Sequence, residues 1–198
     1  ASTIGLPTGA PPLRIRHLLT MTGGLPTDDP WGDRQESLPL DDFDRLVAAG
    51  LSFCRPPGID FEYSNLGYAL LGRVISAATG QDYREVVRTL LLEPLGMTAT
   101  TYDVDRVENR VTGFRQLEAG LVEQPETTSG AFSPMGGLWS TIEDLARWVG
   151  FHESAWNDDA TPAPLDRWSR REMQRPHVLA RVEEGSDVAV HSYGMGLY

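Results

Sequence analysis

The chain has 198 residues, 40% hydrophobic and 23% charged, which suits one globular domain or one part of a two-part domain and argues against extended disorder. Its 28 acidic residues against 17 basic ones give a formal net charge of -11, the wrong sign for a phosphate-backbone partner, so nucleic acid is excluded as a partner. There is no basic cluster for an anionic membrane surface and no apolar run long enough to span a bilayer.

Residues 1–13 are rich in Pro, Gly and small side chains and read as loop. Leu13 to Leu19 reads as a short helix, broken by a turn-rich stretch from Thr20 to Pro30. Asp41 and Asp42 open a helix to about Ala49, capped by Gly50. Within Leu51-Ser52-Phe53-Cys54 the lone cysteine reads as a buried small hydrophobe, and Pro56-Pro57-Gly58 is a hard break. From Ser64 or Asn65 to Thr79, apolar residues recur at three- and four-residue steps, and Gly80 closes a helix. Asp82 with Glu85 starts a helix over about 83–92, ended by Pro94 and Gly96.

Two short strands are expected around Val111–Phe114 and Gly120–Val122, forming a small β-hairpin. Ser140 with Glu143 caps a helix over about 141–151, a polar loop covers 153–164, and a helix spans about 165–174. His191 to Tyr198 starts as a strand and stops. A strand without a partner leaves a row of backbone donors and acceptors open, which makes truncation the expectation at this end. The whole chain reads as one region, 1–198, mainly helical.

Several chemistries lack their residues. There is no Gly-x-Ser-x-Gly elbow and no phosphate-binding glycine loop. His152-Glu153 begins like a metalloprotease helix, but Trp156 stands where the second His is needed. The four histidines are dispersed without ligand spacing, so no metal and no cofactor are expected. What stands out is Tyr63-Ser64-Asn65 at the start of an apolar helix, in a chain whose basic residues are all arginine. Alone, Tyr63 would read as core and Asn65 as a helix cap.

Four further stretches change that weighting. Ile15-Arg16-His17-Leu18-Leu19-Thr20-Met21-Thr22-Gly23-Gly24-Leu25-Pro26, Leu92-Glu93-Pro94-Leu95-Gly96-Met97, Gly136-Gly137-Leu138-Trp139-Ser140-Thr141 with Asp144-Leu145-Ala146, and Tyr193-Gly194-Met195-Gly196 lie in order around the central Pro57–Gly72 segment. Together they resemble the serine beta-lactamase and penicillin-binding-protein family, class C-like branch, which includes beta-lactamases, D-aminopeptidases and carboxylesterases. Met21 and Gly23 depart from the pattern, where the family has His and Ser.

The resemblance implies the helical region of a beta-lactamase/transpeptidase-like fold and a small-molecule or peptide substrate with an amide, β-lactam or ester bond. It implies an acyl-serine intermediate, with Tyr63 as base or proton relay and Asn65 orienting a lysine and the substrate carbonyl. Ser64 is the variable middle position of the motif. A serine hydroxyl needs a base beside it to attack at neutral pH, and a tyrosine next to a cationic lysine can serve. The family's Ser-x-x-Lys motif would precede the Ile15 stretch and its third motif would follow Tyr198, so the chain alone is expected to be inactive. A non-catalytic beta-lactamase-like binding module is the alternative, and a purely structural helical domain a third. If a packing partner is missing, an apolar helix face left exposed is expected to promote self-association.

Overall fold

The computed structural model describes residues 9–29, 31–118, 120–157, 163–184 and 188–198. Parts of the loops expected over 1–13 and 153–164 therefore lie outside the described residues. Among the described residues six α-helices run in order: α1 (Ile15–Leu19), α2 (Leu40–Ala48), α3 (Asn65–Thr79), α4 (Tyr83–Val87), α5 (Ile142–Glu153) and α6 (Arg167–Gln174). Two antiparallel hairpins join them: β1 (Phe114–Leu117) with β2 (Gly120–Glu123), and β3 (Val178–Glu184) with β4 (Val188–Tyr193). The helical reading is therefore right for the core, and the single expected hairpin becomes two.

The fold is organised around α3. Its start is set by Ser64, whose hydroxyl accepts from the Gly67 N–H at 3.4 Å, and its end by Gly80 at φ 71°, the left-handed turn that glycine adopts without cost. Leu66, Ala69, Leu70 and Leu71 bury one broad face against Leu18, Leu25, Phe43, Val47 and Phe132. Phe132 stands edge-on to both Phe43 and Trp31, with ring centroids 5.5 and 5.7 Å away. Gly72 permits the closest approach: a Cβ there would lie 2.3 Å from Pro134 Cγ.

Several boundaries shift for local reasons. The cap of α2 is Pro39, which moves its start ahead of Asp41, and α5 is capped by Thr141, which accepts from Asp144 N–H, rather than by Ser140. The helix expected over 83–92 is α-helical only to Val87 and continues as a π-helical turn, Arg88–Leu92. Cys54 is exposed, contrary to the buried reading. Its strand-like segment runs over the surface against the Gly24 loop, with Cys54 N–H donating to Gly24 O at 2.9 Å. The C-terminal strand is likewise not orphaned: β3 pairs with it from Val178↔Tyr193 to Glu184↔Val188, with a bulge near Leu179–Arg181.

Apolar surface is left open in one place by helical spacing. Ile142, Leu145 and Val149 of α5 are 75%, 47% and 54% exposed, a stripe on one face with no cover among the described residues.

Candidate active site

Tyr63 and Asn65 sit at the N-terminal end of α3, where two loops converge. The segment 54–62 is laced to the turn after α1 by backbone bonds: Cys54 N–H to Gly24 O at 2.9 Å, Gly58 N–H to Thr22 O at 2.7 Å, and Glu62 N–H to Met21 O at 2.8 Å. Met21, one of the two departures from the family pattern, holds φ at 55°, a left-handed conformation unusual for a side chain of its size. Its sulfur accepts the Ser64 N–H at 3.4 Å. The turn thus fixes both the backbone and the depth of the Tyr63-Ser64-Asn65 triplet.

The start of α3 is held by carboxylates of the loop that follows α1. Asp28 accepts the Asn65 N–H through Oδ1 and the Leu66 N–H through Oδ2, each at 2.8 Å. These are two of the orphan donors that every helix start presents, and a negative charge there also complements the helix dipole. Asp29 accepts from the Asn65 side-chain Nδ2 at 2.6 Å. Gly32 closes the other wall of Asn65, since a Cβ on it would lie 2.7 Å from Asn65 Cβ. Asn65 is buried, while Tyr63 is half-buried.

The electrostatics around the phenol are acidic. Burial pushes Tyr63 above its ordinary pKa, and the carboxylates of Asp29 and Asp33 push it the same way, with Tyr193 and Tyr198 adding to them. Asp33 is itself raised by burial and by the neighbouring Asp29 and Asp28. Aromatic rings form the remaining wall: Phe61 lies 5.3 Å from Tyr193 and 6.3 Å from Tyr198, and Tyr193 and Tyr198 are 4.9 Å apart. Tyr68 donates to Leu19 O at 3.1 Å, and its oxygen lies 3.3 Å from that of Tyr193, tying α1, α3 and β4 together behind the site.

The structure brings both sequence-predicted residues, Tyr63 and Asn65, to one helix start. Trp31 packs edge-on against Phe132, and the backbone of Trp139 pairs with that of Thr101. Asp28, Asp29, Asp33 and Met21 are the residues that sequence reading missed. No group of His, Cys, Asp and Glu suited to a metal occurs among the described residues, and none of their helices is long and apolar enough to cross a membrane.

The Beta-lactamase family model matches residues 6–198, and the chain belongs to that family. Protein flp of Staphylococcus aureus (strain COL) is 31% identical over 144 residues, covering 70% of this chain and 28% of that protein. Among solved structures, the penicillin binding protein from Bacillus halodurans is similar with a TM-score of 0.69 and 26% identity, over 96% of this chain and 57% of that one. The octameric penicillin-binding protein homologue from Pyrococcus abyssi is similar with a TM-score of 0.68 and 26% identity, over 93% and 43%. The chain thus spans less than two thirds of the length of each of these proteins.

Proposed function

We propose that this chain carries the second catalytic motif of a serine hydrolase acting on amide, β-lactam or ester bonds through an acyl-serine intermediate. The observation that carries this reading is the buried carboxamide of Asn65 two residues from the half-buried phenol of Tyr63, both fixed at one helix start. In this role Tyr63 takes the serine proton and later helps to activate the hydrolytic water, while Asn65 orients the lysine and the substrate carbonyl. A Ser-x-x-Lys segment must complete the site, because no lysine occurs in these residues. Burial, and then Asp29 and Asp33, raise the Tyr63 phenol further above its ordinary value, so it needs a nearby cation before it can serve as a base. The chain alone is therefore inactive in this reading. The exposed Ile142, Leu145 and Val149 stripe supports self-association, which light scattering on the purified chain would register.

The test is intact-mass analysis after exposure to nitrocefin or p-nitrophenyl acetate. The chain by itself is expected to give no turnover and no adduct. The same chain produced with flanking sequence containing Ser-x-x-Lys is expected to gain one acyl group on that serine. Replacing Tyr63 by Phe in that longer protein should slow acylation by about 10²-fold or more. Turnover by the chain alone, or no adduct in the longer protein, would overturn the proposal.

A further inference from the structure

The carboxamide of Asn65 can be built two ways round, and the chemistry of its neighbour decides between them. A carboxylate has no hydrogen to give, so the corner of the amide that faces Asp29 at 2.6 Å must be the NH₂ group. Oδ1, the opposite corner, accepts from no described residue. It is turned away from Asp29, at a residue that is 3% exposed. Gly32 blocks the other escape, because its Cα side lies hard against Asn65 Cβ and Nδ2. Asp28 takes the backbone N–H of the same residue at 2.8 Å, leaving Asp29 free of any capping duty toward α3. Adjacent aspartates therefore divide the work: one holds the main chain of Asn65 and the other its side chain.

We propose that Asp29 is a positioning residue that locks the Asn65 carboxamide with NH₂ on Asp29 and Oδ1 turned away from it, presenting an acceptor to the cation of the site and leaving the second Nδ2 hydrogen for a substrate carbonyl. This rests on the hydrolase reading for its purpose, but the lock itself does not. An acceptor held in one orientation suits an ammonium or an amide N–H, whereas an amide free to flip would offer a donor half the time. Asp29 is exposed, so its replacement removes no packing.

The experiment is ¹⁵N-resolved NMR of the 198-residue chain, reading the two side-chain Hδ2 resonances of Asn65. In the parent, the proton facing Asp29 is expected downfield of its partner and both are expected to be sharp. Asp29→Ala should collapse that separation and broaden the pair, while the backbone amides of Leu66 and Gly67, held by Asp28 and Ser64, stay in place. Asp29→Asn retains an acceptor oxygen and should restore the separation. An Asn65 amide unchanged in Asp29→Ala would overturn the proposal, as would failure of Asp29→Asn to restore it. If Asp29→Ala does not fold, Asp29→Asn decides alone: a preserved separation supports the lock and a lost one refutes it. These resonances need no turnover, so a failed lock with normal acyl-adduct formation refutes only the role of Asp29. An intact lock without any adduct refutes only the hydrolase reading.

Discussion

Asp28 offers the sharpest test of how this fold is held. Its carboxylate accepts the Asn65 and Leu66 N–H groups, each at 2.8 Å, from a loop 37 residues earlier in the chain. Substituting alanine would leave both donors without a protein acceptor, because Ser64 reaches only Gly67, and at 3.4 Å. Loss of one side-chain cap costs about 1 kcal/mol. A second partly buried N–H left open adds about as much again, so about 2 kcal/mol in total is expected. In a protein of this size that corresponds to a fall in Tm of roughly 4–8 °C. Urea unfolding followed by circular dichroism is the assay, with a lowered midpoint and an unchanged slope as the expected result. Asp28→Asn keeps one acceptor oxygen and should lose about half as much. Asp29→Ala leaves the backbone caps of α3 in place but removes the acceptor of the buried Asn65 amide, and should cost about 1 kcal/mol. An Asp28→Ala protein that unfolds within about 0.5 kcal/mol of the parent would refute the claim that this loop anchors α3.

Two further outcomes follow from the core and from α5. Phe132→Ala removes a fully buried ring that meets both Phe43 and Trp31 edge-on, and should cost about 3–5 kcal/mol in the same urea assay, with a smaller loss for Phe132→Leu. His152 is held below its ordinary pKa first by burial and then by the Arg170 cation, so the native state favours its neutral form. Stability from this residue is therefore complete above about pH 6.5 and falls as the pH drops through that value toward the depressed native one. The urea midpoint should decline between pH 7.5 and 5.5, and His152→Gln should flatten the decline. His17 is lowered too, by burial and then by Arg14, so some slope should survive the substitution. A slope identical in parent and variant would show that His152 does not titrate against folding.

Legibility in the sequence tracked how local each determinant is. The limits of α3 could be read directly because Ser64 and Gly80 act on the turns that contain them. The pairing of Tyr63 with Asn65 could be read for the same reason, as three consecutive residues. Asp28 and Asp29 could not. An Asp-Asp pair in a turn-rich loop is ordinary turn composition, and nothing in it signals a helix start 37 residues on. β3 escaped because Val178 to Glu184 mixes apolar and charged residues without clean alternation. Its identity as a strand comes from pairing with β4, not from its own pattern. Cys54 was misplaced by its apolar neighbours, since Leu51 is buried while the chain turns outward at Cys54. The π-helical turn at Arg88–Leu92 is a backbone detail that helical periodicity does not resolve.

The acidic loop that builds the site also sets its chemistry. Asp29, which clamps the Asn65 side chain, is also the carboxylate that, after burial, does most to raise Tyr63, with Asp33 adding to it. Negative charge beside Tyr63 thus works against the base role proposed for it. A cation within about 4–6 Å of the phenol resolves the conflict, because it favours the ionised form by about 1–3 pKa units while leaving the carboxylate caps in place. Arg55, the cation closest to Tyr63 in sequence, is committed to Asp60 at 2.9 Å and Glu62 at 3.1 Å. In the hydrolase reading proposed above, the lysine of a Ser-x-x-Lys motif supplies that cation, and Asp29 then both clamps Asn65 and raises Tyr63.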